Sequence, residues 1–141
     1  MTDQPALSTT GGCLCGEISY RVTGAMRPVI ACHCEQCRRT SGHYAAATSA
    51  PRDTVEIEGE VRWYQSSEKA RRAFCPDCGS NLFWDGGGSH LSIFAGSLDK
   101  PTHLALEGHI WCDDRGDYYD IPDGLPQAPG SDSEMTTQVR G

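Results

Sequence analysis

Seven of the eight cysteines in this 141-residue chain fall into three tight clusters: Cys13-x-Cys15, Cys32-x-Cys34-x-x-Cys37 and Cys75-x-x-Cys78. Spacing this short constrains the fold before any core residue is considered. The ring closed by a C-x-C disulfide is strained, whereas thiolates one to three residues apart are common zinc ligands. Four thiolates fill the tetrahedron of a structural zinc, and a site with three protein ligands keeps a position for water or substrate. The clusters are therefore expected to hold two metal ions, one closed and one open.

Composition supports metal over disulfides. The chain opens with neither a basic start nor an apolar run, so no secretory signal is expected. The cytoplasm is the expected compartment, and thiols stay reduced there. No run approaches the 18 or so apolar residues of a membrane span. A net charge of −7 disfavours nucleic acid, whose phosphates call for a basic face. Both ends are polar, so residues 1–10 and 128–141 are expected to be flexible tails around one domain at 11–127. With 16 glycines and 8 prolines, that domain is expected to have many turns and a thin core, which metal binding would reinforce.

Turn signals recur about every ten residues, the pattern of a mainly β domain. Strands are expected at Glu17–Val22, Val29–Cys32, Tyr44–Ser49, Thr54–Glu58, Val61–Gln65, Ala70–Phe74, Asn81–Asp85, Leu91–Ala95 and Gly108–Trp111. Alternation puts Ile18, Tyr20 and Val22 on one face, and Val55 and Ile57 inward. Glu35–Thr40 reads as a helical turn ended by Gly42. Gly86-Gly87-Gly88 precedes a strand rather than a helix, so it reads as a hairpin tip and not a phosphate loop.

Cys75-Pro76-Asp77-Cys78-Gly79 has the design of a zinc knuckle: Pro76 sets the turn, and Gly79 permits the left-handed residue that aims N–H groups at sulfur. One knuckle supplies two thiolates. Cys13 and Cys15, flanked by Gly11, Gly12 and Gly16, are the natural second pair. Cys32, Cys34 and Cys37 then form the second site, on a loop and first helical turn that would favour ionised sulfur. Its fourth ligand stays open between water, substrate, Cys112 and one of His33, His43, His90, His103 and His109. Cys112 reads first as a small buried hydrophobe, and the ring of His33, between two ligands, is expected to point away. Arg38, Arg39, Lys69, Arg71 and Arg72 gather beside the clusters, either balancing thiolate charge or docking an anionic substrate.

The ordered motifs C-L-C-G, C-H-C-x-x-C-R-R-x-S-G, F-C-P-D-C-G-S-N-L-F, G-S-L-D-K-P, H-I-W and D-I-P-D-G-L-P-Q resemble the GFA family. These proteins are similar to the glutathione-dependent formaldehyde-activating enzyme and share the CENP-V/GFA domain. The resemblance runs from about Gly11 to Gln127 and implies a small zinc-stabilised domain of the β-tent type. It implies a structural zinc on Cys13, Cys15, Cys75 and Cys78 and a second zinc on Cys32, Cys34 and Cys37. The activity it implies is a carbon–sulfur lyase reaction, joining glutathione to formaldehyde as S-hydroxymethylglutathione through the second zinc. A small thiol such as glutathione is then the expected partner, with Arg38 or Arg39 as a carboxylate anchor. A non-catalytic zinc-stabilised binding module and a thiol-redox or zinc-storage protein are the alternative readings. Cys112 and Asp117-Tyr118-Tyr119 depart from the family's usual pattern, so they bear on the substrate pocket.

Overall fold

A computed structural model describes residues 8–137 of the chain. Among these residues there are ten strands in two sheets. Strands β1 (Ser8–Gly12), β2 (Ser19–Thr23) and β5 (Val55–Glu58) form an antiparallel sheet in the order β1-β2-β5. The larger sheet contains β3 (Val29–Cys32), β4 (Ala45–Pro51), β6 (Arg62–Gln65), β7 (Arg71–Phe74), β8 (Asn81–Asp85), β9 (His90–Phe94) and β10 (Leu106–Ile110). Its order is β10-β3-β4-β9-β8-β7-β6, and only β10 and β3 pair in parallel. Helix α1 spans Glu35–Ser41 and α2 spans Ser133–Thr137. Among the described residues no helix is long and apolar enough to cross a membrane.

The core lies between the sheets. Ile18, Tyr20 and Val22 face Leu82, Phe83, Leu91 and Ile93, with the Tyr20 and Phe83 rings edge-on at 5.1 Å. This is the alternation of a strand with one buried face. The same rule prepares the functional side of the larger sheet. Phe83 pairs with Ile93 toward the core, while the adjacent Trp84–Ser92, Arg72–Trp84 and Ala47–Phe94 pairs face the other way.

Two sequence expectations change here. Strand β1 starts inside the stretch assigned to the N-terminal tail; residues 1–7 of that tail lie outside the described residues. Ile57 was expected inward and is 36% exposed. It sits on β5, the edge of the small sheet, where the inward face overhangs the core. Strands β5 and β6 are joined through Gly59 and Glu60 but lie in different sheets, since β5 pairs with β2 and β6 with β7. Gly59 has φ +97°, and a Cβ there would meet the Glu17 carbonyl oxygen at 2.5 Å, so this crossing between sheets needs glycine.

Beyond Gln127 the chain stays attached to the body through residue 137. The Cys112 N–H donates to the Ala128 carbonyl (3.0 Å) and the Trp111 N–H to that of Gly130 (2.9 Å). Asp132 caps α2 by accepting from the Met135 N–H at 3.1 Å. Residues 138–141 of the expected C-terminal tail lie outside the described residues.

At the β8–β9 tip, Asp85 organises the glycine run. Its buried carboxylate accepts from the Gly87 N–H (2.8 Å), from Arg52 Nη2 (2.7 Å) and from Arg71 Nε (3.2 Å). Arg71 in turn lies 3.9 Å from the Trp63 ring centroid. These donors, Arg52 first, hold the Asp85 carboxyl down at about 2. Because this lies below the unfolded value, Asp85 stabilises the fold above about pH 4, and the contribution is lost as pH falls through 2. Asp85→Ala is expected to cost about 2 kcal/mol, read from the midpoint of urea unfolding, since one partner of a buried pair is removed while the exposed arginines regain water.

Candidate metal centres and the adjoining cavity

The loop after β1 brings Cys13 and Cys15 against the β7–β8 loop, which carries Cys75 and Cys78. All four sulfur atoms lie within 4.8 Å of one another. The Cys13–Cys15 and Cys15–Cys75 sulfur separations are 3.6 and 3.7 Å. A zinc–sulfur bond of about 2.3 Å gives a tetrahedral edge of about 3.8 Å, so the donor set fits zinc. Backbone geometry follows the knuckle expectation: Gly79 has φ +80°, its N–H donates to the Cys75 carbonyl (2.8 Å), and the Ile18 N–H points at Cys13 Sγ (3.2 Å). Ser80 ties the two halves together. Its hydroxyl accepts from the Leu14 N–H at 3.0 Å and lies 3.2 Å from Cys78 Sγ. That contact, helped by the backbone N–H groups of Ser80 and Cys15, lowers the Cys78 thiol to about 5.

The second cluster is built differently. Strand β3 ends at Cys32, Cys34 caps α1, and Cys37 lies in the first helical turn. Their three sulfurs also lie within 4.8 Å of one another, and among the described residues no fourth Cys, His, Asp or Glu joins them. The neighbouring thiols of Cys32 and Cys37 favour ionisation of Cys34, whose pKa falls to about 2. The Cys37 N–H also donates to Cys34 Sγ at 3.4 Å. Gly42 ends α1 with φ +87°, and its N–H donates to the Arg38 carbonyl. Cys112 is buried away from this group.

These three cysteines open on a cavity of about 610 Å3. Its floor is the outward face of the large sheet, with Ala45, Ala47, Ser92, Phe94 and Trp84, and Trp111 forms part of its wall. Trp111 is 40% exposed and holds a left-handed backbone, φ +57° and ψ +38°. This conformation is strained for a bulky residue. Arg72, 6% exposed, reaches from β7 to Cys37 Sγ (3.5 Å) and Thr40 Oγ1 (3.4 Å).

Arg38 and Arg39 are not among the cavity walls. Arg39 instead pairs with Glu35 at 3.5 Å on the surface. Arg71 turns to Asp85 and Trp63, so of the basic group read from sequence only Arg72 both lines the cavity and touches a cluster sulfur.

The ring of His33 turns to other partners. Its Nδ1 lies 2.5 Å from Tyr119 Oη, and its Nε2 lies 2.9 Å from His109 Nδ1. His109 Nε2 lies 2.7 Å from Asp123 Oδ2. An ionised carboxylate only accepts, so His109 donates from Nε2 and accepts at Nδ1. His33 therefore donates from Nε2 and accepts from the Tyr119 hydroxyl. Burial, reinforced by the neighbouring His109, lowers His33 to about 4 and keeps it neutral near pH 7. The tautomers along this chain of four side chains follow from its one carboxylate. Sequence reading treated each histidine separately and missed the chain, as it missed Ser80 and Trp111. The departure noted at Tyr118-Tyr119 was the one available signal, because Tyr119 ends the chain and Tyr118 Oη meets His43 Nδ1 at 2.9 Å.

The sequence profile of the family described as "Glutathione-dependent formaldehyde-activating enzyme" matches residues 8–114. The chain belongs to this family. A Schizosaccharomyces pombe protein named as an uncharacterized lyase is 29% identical over 114 residues, covering 79% of this chain and 83% of its own. The crystal structure of a Rhodobacter sphaeroides structural-genomics protein shares the fold, with a TM-score of 0.57. That similarity has 18% identity and spans 84% of this chain and 98% of the other. Membership of the glutathione-dependent formaldehyde-activating enzyme family agrees with the mainly β architecture and with two cysteine clusters able to hold metal.

Proposed function

We propose that this protein is a zinc-dependent carbon–sulfur lyase that makes or breaks a thiol–aldehyde adduct. Glutathione and formaldehyde, or a similar pair, are its substrates. The family and the lyase named among its relatives support the reaction class. The observation that carries the reading is the three-sulfur group, without a fourth ligand among the described residues, at the edge of a substrate-sized cavity.

Cys13, Cys15, Cys75 and Cys78 hold the structural ion, and Cys32, Cys34 and Cys37 the second. A zinc ion held by these three cysteines would lower the pKa of an incoming thiol and favour its thiolate. Adduct formation joins sulfur to the aldehyde carbon, opens the C=O double bond, and moves the thiol proton to oxygen. Cleavage is the reverse. Trp84 and Phe94 supply apolar surface beside the reacting pair. Three thiolates would leave the loaded site with a formal charge of −1, which opposes binding of a fourth thiolate. Arg72 answers that charge directly, since its guanidinium donates to Cys37.

Metal analysis should find two zinc ions per chain. In cobalt-loaded protein, glutathione should add thiolate-to-metal absorption at one site only. Two sites already saturated by protein, with spectra unmoved by thiols, would overturn the reading and favour a non-catalytic module. Reversible loss of one zinc in mild peroxide, without a thiol response, would favour the redox or storage role.

A further inference from the structure

Arg27 lines the same cavity and serves neither metal cluster. Its side chain is 6% exposed, yet no carboxylate of the described residues pairs with it. It donates instead to three carbonyls: Pro28 (3.3 Å), Ala47 (2.7 Å) and Thr136 (3.0 Å). A guanidinium has five N–H donors, so two have no acceptor among the described residues. A buried cation without an anion is costly, and a ligand that brings the missing charge recovers that cost.

The position is as informative as the charge. Ala45 pairs with Cys32 across β3 and β4, and Ala47, whose carbonyl holds Arg27, lies two residues further along β4. Both alanines line the cavity. Two residues of strand span about 7 Å. The cavity thus has a metal-binding end at Cys32 and a cationic end at Arg27, joined by a floor of small and apolar side chains. The acidic residues on its walls, Glu35 and Asp114, are exposed, and Glu35 is paired with Arg39.

We propose that Arg27 is a specificity-determining residue that anchors the carboxylate of an acid whose sulfur or carbonyl carbon reaches the Cys32, Cys34 and Cys37 end through a spacer of a few carbons. This rests on the reading of that end as a thiol–aldehyde site. It moves the anchor expected at Arg38 or Arg39 to a residue that lines the cavity.

Two matched thiols test it on the cobalt-loaded full chain: 3-mercaptopropionate and its neutral amide, 3-mercaptopropanamide, titrated by charge-transfer absorption. The acid is expected to bind about tenfold or more tightly than the amide. Arg27→Met should bring the two within about twofold of each other while leaving the amide unchanged, and Arg27→Lys should keep part of the preference. Equal binding of acid and amide by the unmodified protein overturns the proposal without any variant. A variant that melts earlier but keeps the preference also overturns it, and assigns Arg27 to holding α2 against β4. Butyrate and butyramide, followed by thermal shift, separate the two readings. If neither thiol alters the cobalt spectrum but butyrate still protects in an Arg27-dependent way, the metal-site reading fails and the anchor stands. If butyrate and butyramide protect equally, the anchor fails.

Discussion

Cys75→Ser is expected to unfold the domain at 25 °C, with loss of the near-ultraviolet circular dichroism of the tryptophans and of the thermal transition. Cys75 is fully buried within the core cluster, 3.7 Å from the sulfur of Cys15. The four-cysteine site joins segments 60 residues apart, and the small sheet meets the larger one beside it. Structural zinc in small domains contributes about 10–16 kcal/mol apparent, comparable with the whole stability of a typical domain, about 5–15 kcal/mol. Losing one thiolate does more than weaken an ion site. It leaves three ionisable sulfurs crowded together and puts a hydroxyl at the one fully buried position of the four, beside the core. Removal of metal by a strong chelator should give the same unfolded baseline. A Cys75→Ser protein with a native-like melting curve would show that the clip is dispensable and that the sheets hold without it.

Cys32→Ser should behave in the opposite way. The second cluster occupies one strand end and the first turn of α1, so its loss removes no long-range tie. The expected result is one zinc per chain instead of two, folding retained, and a melting temperature lowered by only a few degrees. The spectral response to glutathione should vanish, and adduct formation or cleavage should fall by about a hundredfold or more, beyond the loss typical of altering a residue that only supports a ligand. Zinc counting and a coupled assay on the same preparation check both parts. If Cys32→Ser unfolds while Cys75→Ser does not, the assignment of clip and reactive site must be exchanged.

Much of the fold was legible because the strands follow period-two patterning between turn residues. Val29–Cys32 and Asn81–Asp85 appear at the expected limits, and Ile18, Tyr20 and Val22 share the buried face as read. Strand β1 was not legible. Its sequence, Ser8-Thr9-Thr10-Gly11-Gly12, carries no apolar residue. Its place is set by a gap: a Cβ on Gly11 would come within 2.4 Å of the Tyr20 ring. The absence of a side chain is what lets β1 lie against β2, and no hydrophobic pattern records an absence. The cysteine groups were visible because each is compact in sequence and sulfur chemistry restricts their partners. Arg27 and the histidine chain were not, because their meaning lies in residues 14 to 109 positions away.

The His33–His109 contact has a consequence for how the second site meets its ion. His33 is the residue between Cys32 and Cys34, and it is tethered to β10 through His109 and to the later loop through Tyr119. The three-residue segment therefore has little freedom to lose when a metal arrives. Most flexible cysteine loops must be ordered by the ion they capture, and part of the binding energy disappears into that ordering. Here the contacts of His33 with His109 and Tyr119 supply part of that order, so less of the binding energy is spent on it.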